Sequence, residues 1–280
     1  MIEEGKKVRR VVDFTILILL TALFIFPILL VLMNSFKNRL YISTQPFAWP
    51  KGQMFVGFTN YLTGLTTAGF FLAFLRSVFV TVFSVCIIIL CTSMTAWFIV
   101  RVKNKFTSAL YYVFVFSMIV PFQMVMYTMT YVVTAINFAN VFGIVLVYLG
   151  FGAGLSVFMF TGFIKSIPLE VEEAATIDGC NPIQTYFKVV FPMLKSTAIT
   201  VSILQAMWVW NDYLLPYLIL GSDHKTVPVA IQLAMQGAYG STDYGGFMAM
   251  LVVSIIPIIA FYISSQKYII KGVVAGAVKG

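Results

Sequence analysis

Six long apolar runs, separated by shorter polar stretches, organise this chain of 280 residues. They lie near 11–33, 70–98, 107–133, 141–163, 196–219 and 246–266. About 20 apolar residues in helical form cross the roughly 30 Å of hydrocarbon in a bilayer. The pattern therefore predicts an all-α membrane protein with six transmembrane helices, read as one membrane domain over 1–280. The first run follows Lys6, Lys7, Arg9 and Arg10, as a secretory leader would. It is longer than the apolar core of such a leader and ends in Met33-Asn34-Ser35-Phe36, without a small-residue cleavage pattern, so it reads as a retained helix.

Composition agrees with a bilayer. Hydrophobic residues make up 60% of the chain and charged ones only 10%, against about 25% charged in ordinary globular chains. Cations mark the sidedness, because Lys and Arg are retained on the cytoplasmic side. With both termini inside, the inner segments carry 13 of them, Lys6, Lys7, Arg9, Arg10, Arg101, Lys103, Lys105, Lys165, Lys188, Lys195, Lys267, Lys271 and Lys279. The outer segments carry Lys37, Arg39, Lys51 and Lys225, and Arg76 sits at a boundary. The net charge of +8 is then a topology signal rather than a nucleic-acid surface, which would need a basic patch on a soluble face. Cys86, Cys91 and Cys180 show neither a disulfide framework nor a metal-binding spacing.

Between the fourth and fifth runs lies a loop, 164–195, that holds a charged island, Glu173-Ala174-Ala175-Thr176-Ile177-Asp178-Gly179. Pro168 is placed to open a helix, and Glu170, Glu172 and Glu173 fall in its first turns, at the positive end of the helix dipole. Gly179 stops it. Asn181 then caps a second helix, Pro182 is its first residue, and Gln184 completes a capping-box pattern. The prediction is helix, tight turn, helix. Val171, Ala174 and Ala175 share one side of the first helix, and the small alanines leave room for a partner's backbone. A helix lying on lipid headgroups would be basic, whereas this one is acidic, so docking to a protein is favoured.

The chemistry available to the chain alone is narrow. His224 is its single histidine, which excludes H-E-x-x-H zinc catalysis, and G-x-x-x-x-G-K-[ST] does not occur, so nucleotide phosphates have no such loop to bind. The chain reads as a non-enzyme with no cofactor or metal site of its own. Asp212 falls about 24 Å along a helix that starts at Ser196, toward the outer end of its span. Asp212, with its neighbours Asn211 and Tyr213, suits a gate or an interhelix hydrogen bond better than a contact with cargo. Gln123, just after Pro121, is a candidate cavity position because the proline frees a carbonyl in the preceding turn, with ordinary packing as the bland alternative. Pro216 and Pro257 are expected to kink their helices. The glycines of the loop near 220–245 suggest bends or a re-entrant segment.

These residues resemble the integral-membrane permeases of bacterial binding-protein-dependent ABC importers. The signature of that family is Glu-Ala-Ala, three residues, Gly, nine residues, an aliphatic residue, one more, then Leu-Pro. It is met here at Glu173, Ala174, Ala175, Gly179, Val189 and Pro192, and departs at Phe191. Val120-Pro121-Phe122-Gln123, Trp210-Asn211-Asp212 and the ending from Gln266 to Gly280 resemble the smaller permease of the maltose-type carbohydrate group. The resemblance implies a heterodimer with a second permease, two ATPase subunits that bind ATP and Mg, an external solute-binding protein and a carbohydrate cargo. It implies that 164–195 couples to the ATPase through Glu173, Ala174, Ala175, Asp178, Gly179 and Pro192. It further implies that the tail 267–280 reaches the ATPases through Lys271, Gly276 and Lys279. A permease for another cargo class, or an ion channel, is the alternative.

Overall fold

The computed structural model describes residues 2–67, 69–236 and 243–277, and side chains within them except at 2–8, 67 and 267–277. The helices are, in chain order, α1 (Ile2–Asn34), α2 (Arg39–Thr44), α3 (Thr59–Thr67), α4 (Phe70–Arg101), α5 (Lys105–Ser117), α6 (Phe122–Ala135), α7 (Val141–Ile164), α8 (Leu169–Ile177), α9 (Pro182–Thr185), α10 (Phe191–Met193), α11 (Lys195–Asn211), α12 (Leu214–Leu220), α13 (Val227–Met235) and α14 (Tyr244–Ala277). Among the described residues the extended backbone pairs only at an isolated antiparallel bridge, Lys37 with Phe55. The all-α reading holds.

Among the described residues four helices are long and apolar enough to cross a bilayer unbroken: Arg9–Asn34 of α1, α4, α7 and Tyr244–Gln266 of α14. Two further spans arise if each of two bent pairs counts as one. This revises the sequence expectation in two places. The run 107–133 is not one straight helix, because α5 and α6 meet at 107°. Pro121 stands at the break as the N-terminal cap residue of α6 in extended conformation, where its missing N–H and its bias against a preceding helical residue suit a stop and restart. The run 196–219 is also interrupted, at Asp212 and Tyr213 between α11 and α12. Pro216 then sits in the first turn of α12, where no intrahelical bond is lost, and does not kink a helix. Pro257 lies inside α14.

The chain groups into two compact units, 1–71 with 230–256 and 72–229 with 257–280. In the first unit the end of α1 is tied to the loop that follows. Asn34 Nδ2 donates to the carbonyls of Leu30 and Pro46, Asn60 Nδ2 donates to those of Ser35 and Lys37, and the Ser35 and Tyr61 hydroxyls share a hydrogen bond. Lys37 is fully buried, its ammonium donating to the carbonyls of Gln45 and Pro46, and burial lowers its pKa from the ordinary value. By contrast no residue in the apolar stretch of α1 is buried.

The second unit is built around α7, half of whose apolar stretch is buried. One cluster joins Ala96, Val100, Phe160, Ile164, Tyr186 and Leu194, and another joins Val80, Ile144, Tyr148, Val209 and Leu215. Small residues let neighbours come close, as is usual between membrane helices. A Cβ on Gly154 would lie 2.7 Å from the carbonyl oxygen of Phe114 in α5, and one on Gly152 would lie 2.7 Å from Ile88 Cδ1 in α4. Gln205 of α11 is buried beside Gly152, its amide donating to the Gly152 carbonyl at 3.1 Å and to Ser156 Oγ at 3.0 Å. A cavity of about 360 Å³ lies between α4, α11 and the later part of α14, with Thr81, Cys86, Ser202, Trp210 and Pro257 in its wall.

The packing around α7 predicts opposite signs for one substitution at two glycines of the same helix. Gly154→Ala should lower the melting midpoint of the detergent-solubilised protein, by overpacking worth roughly 1–3 kcal/mol. Gly162→Ala, where a Cβ meets nothing within 4 Å, should leave it unchanged or raise it. Equal effects would remove the close-approach role of Gly154.

Candidate functional site

The segment 164–195 folds as local rules dictate. Pro168, extended at φ −59° and ψ 138°, is the residue before α8, and Glu170 and Glu172 occupy the first turn. The helix ends in two reaching hydrogen bonds, Gly179 N–H to the Thr176 carbonyl and Cys180 N–H to the Ala175 carbonyl, both 3.0 Å. That pairing is a Schellman motif, and it needs the left-handed φ of +85° that Gly179 supplies. Asn181 Oδ1 accepts from the N–H of Gln184 at 2.9 Å, while Gln184 Oε1 accepts from the N–H of Asn181 at 3.0 Å, so the capping box is closed in both directions. Beyond α9 the helix widens into a π turn over Tyr186–Val190, in which the N–H of Phe191 reaches back to the Tyr186 carbonyl. Pro192 follows, without an N–H and with a ring that would crowd the carbonyl four residues earlier, and the wider turn accommodates it. The pair Pro182–Met193 and α11 then meet at 76°.

α8 presents two unlike faces. Glu172 and Ala175 are buried, at 6% and 7% exposure, whereas Glu173, Ala174, Asp178 and Gly179 are exposed and Ile177 is 86% exposed. This corrects one expectation: the paired alanines do not share an open side, since Ala175 packs inward and only Ala174 faces out. Glu172 is held at both oxygens. Oε1 accepts from Arg101 Nε at 2.9 Å and Nη2 at 2.7 Å, and Oε2 accepts from Trp97 Nε1 at 2.9 Å. Arg101 Nη2 also donates to the Ile167 carbonyl at 3.1 Å. Arg101 closes the last turn of α4, where a cation also suits the negative end of the helix dipole. Tyr186, fully buried, shares a hydrogen bond of 2.5 Å with Ser93 Oγ and packs on Trp97 with ring centres 5.5 Å apart.

The residues proposed for a pathway or gate lie elsewhere in the unit. Asp212 fills the break between α11 and α12: its Oδ1 accepts from the N–H groups of Leu214 and Leu215, and its Oδ2 accepts from the Tyr148 hydroxyl of α7 at 3.0 Å. It serves as a cap and an interhelix contact. Asn211 is exposed with its amide donating to the Met207 carbonyl, and Tyr213 stacks on Tyr217 with centres 5.3 Å apart. Gln123 is exposed near the start of α6. Of the tail residues, Lys271 and Gly276 fall in the backbone of α14, which stays helical to Ala277, but the Lys271 side chain, like the whole of Lys279, lies outside the described residues.

Sequence reading passed over Glu172 as one more carboxylate of a first turn and Arg101 as one more topology cation. The available signal was Ser93, Trp97 and Arg101 at four-residue intervals near the end of a largely apolar helix.

The comparisons with known proteins agree with one another. The model of the family described as binding-protein-dependent transport system inner membrane component matches residues 88–274, which contain the whole of 164–195. The probable starch degradation products transport system permease protein AmyC of Thermoanaerobacterium thermosulfurigenes is 37% identical over 94% of each chain. The multiple sugar-binding transport system permease protein MsmG of Streptococcus mutans is 35% identical over 98% of this chain and 100% of its own length. In fold, the chain is similar to one from a bacterial ABC transporter involved in the import of the acidic polysaccharide alginate, with a TM-score of 0.78 at 20% identity over 94% of this chain and 97% of that one. Together with the bilayer-length helices, the extent of these matches makes this a multi-pass membrane protein that belongs to the binding-protein-dependent transport system inner membrane components.

Proposed function

We propose that the chain is the permease subunit of a bacterial ABC importer for a carbohydrate, in particular an oligosaccharide. It lies in the inner membrane with both termini in the cytoplasm and pairs with a second permease. An external binding protein delivers the sugar, and two separate ATPase subunits supply the energy. The observation that carries this reading is the outward face of α8: Glu173, Ala174 and Ile177 stand exposed on a short acidic helix whose opposite face is fixed by Glu172 and Ala175. A surface so held can push or be pushed, which is what a membrane chain driven by another subunit requires. The excess of cations on the side of 164–195 supports its cytoplasmic placement. The similarity to permeases named for starch products and multiple sugars supports the carbohydrate.

In this assignment the chain itself hydrolyses nothing and needs no cofactor. ATP and Mg belong to the ATPase subunits, in line with the lack of a G-x-x-x-x-G-K-[ST] loop. Glu173, Ala174, Asp178 and Gly179 form the contact with the ATPase. Ala175 and Pro192 set the helix and the turn that present it. Lys271, Gly276 and Lys279 extend the contact through the tail. Asn211, Asp212, Tyr213 and Gln123 belong to the gate or pathway.

The purified chain should therefore hydrolyse no ATP above the background of a sham preparation, and hydrolysis should appear on addition of its ATPase subunit. Turnover by the chain alone would overturn the division of labour. Two substitutions separate docking to a protein from contact with lipid. Glu173→Lys should reduce the ATPase that co-purifies with the permease pair and lower sugar uptake by cells, because a like charge then meets the partner. On an anionic headgroup surface the same change would strengthen attachment by roughly 1 kcal/mol.

Gly179→Val forces a β-branched residue to φ +85°, at a cost of about 1–3 kcal/mol, and should weaken both co-purification and uptake. Full uptake and full ATPase retention in both variants would leave the docking face without a role.

A further inference from the structure

Three side chains one turn apart run down the end of α4 on one face: Ser93, Trp97 and Arg101. They span about 12 Å of helix, and between them they hold three separate pieces of 164–195. Arg101 takes the Ile167 carbonyl ahead of α8 and one oxygen of Glu172 within it; Trp97 takes the other oxygen; Ser93 takes the hydroxyl of Tyr186 beyond the Gly179 turn. Each grip is buried or nearly so: Glu172 is 6% exposed, and Ser93 and Tyr186 are fully enclosed. Guanidinium and indole donors on one carboxylate fix its orientation as well as its position. A buried carboxylate that loses its partners is strongly disfavoured, so the arrangement resists being pulled apart. One to three turns further back, the same helix presents Ile89, Val85 and Thr81 to the cavity it shares with α11 and α14.

We propose that this stripe is the joint through which α8 and α4 move as one body, so that displacement of α8 reaches the cavity wall. Glu172, Arg101, Trp97, Ser93 and Tyr186 are then positioning residues, distinct from the outward residues that meet a partner. The proposal rests on 164–195 being the segment that the ATPase moves. Adjacent glutamates divide the work: Glu173 faces the partner, and Glu172 fastens the helix that carries it.

The test uses the assembled importer, with its second permease, ATPases and binding protein, in proteoliposomes. Glu172→Gln removes the ion pair. The double variant Ser93→Ala with Tyr186→Phe removes both members of one buried hydrogen bond, leaves no unpaired donor and so spares the fold. ATP hydrolysed per sugar imported should rise on the order of fivefold or more in each variant while the ATPases still co-purify. An unchanged ratio in both, with the complex intact, overturns the joint. Should Glu172→Gln fail to assemble, the double variant decides alone.

A second measurement does not depend on transport. Spin labels at Leu169→Cys and Phe98→Cys, both exposed sites, in a protein without its three native cysteines report the distance between α8 and α4. One narrow distance, the same with and without trapped ATP, is expected, and it should broaden with Glu172→Gln. A distance that shifts with ATP in the otherwise unaltered chain would show the two helices moving apart and overturn the joint. Absence of ATPase binding altogether, with the label distance narrow, would instead count against the reading of 164–195.

Discussion

Neither hydrocarbon nor the packed interior between helices offers the hydrogen bonds of water, so a buried polar group or an interrupted helix in this chain is stabilised by a partner from the chain itself. The constraint explains features that composition alone leaves unconnected. Where α11 stops and α12 starts, two N–H groups lose their intrahelical acceptors, and Asp212 supplies one carboxylate oxygen to both while Tyr148 satisfies the other. Where Gln205 is enclosed, the Gly152 carbonyl and Ser156 hydroxyl receive its amide. Where Glu172 is enclosed, Arg101 and Trp97 account for both its oxygens. In each case the polar group joins two helices that are distant in sequence, so satisfying it also fixes their register.

The same constraint makes α8 informative. A helix of nine residues is too short to be stable by propensity and takes its stability from the surface on which it lies. With Glu172 and Ala175 committed to that surface, successive residues diverge by about 100° around the axis, and Glu173 and Ala174 are carried outward. The turn at Gly179 and the exposed Ile177 and Ile183 on either side of it continue that outward face, at 86% and 67% exposure. A charged residue beside small and aliphatic ones, on a helix that cannot rotate, gives a partner both something to recognise and something to push.

What could be read from the sequence follows the range of each signal. The capping box of Asn181 and Gln184, the stop at Gly179 and the acidic first turn depend on residues three or four apart, and the structure has all three. Bilayer-length apolar runs are equally local, and four of them stand as continuous helices. The bend at Pro121 was half visible: the proline marks a break, but the 107° angle depends on how α5 and α6 pack, which no short window contains. Tyr148 with Asp212 and Arg101 with Glu172 are 64 and 71 residues apart, and nothing in either neighbourhood names the partner. Only the four-residue spacing of Ser93, Trp97 and Arg101 hints that one face of α4 has polar work to do.

The helices differ sharply in how much of themselves they bury within the chain. Half of the apolar stretch of α7 is enclosed, against none of that of α1. The cavity beside α4 is walled largely by apolar side chains such as Val78, Val82, Val85 and Ile89, and of its two hydroxyl groups that of Ser202 bonds the Ala198 carbonyl and that of Thr81 is buried without a partner. A sugar carries a hydroxyl on nearly every carbon and would lose its hydration there with little in return. The apolar cavity suits the sliding of helix surfaces better than the passage of cargo. A hydrophilic route then needs surfaces from more than this subunit, which agrees with the proposed second permease and gives the exposed flank of α1 a place to pack.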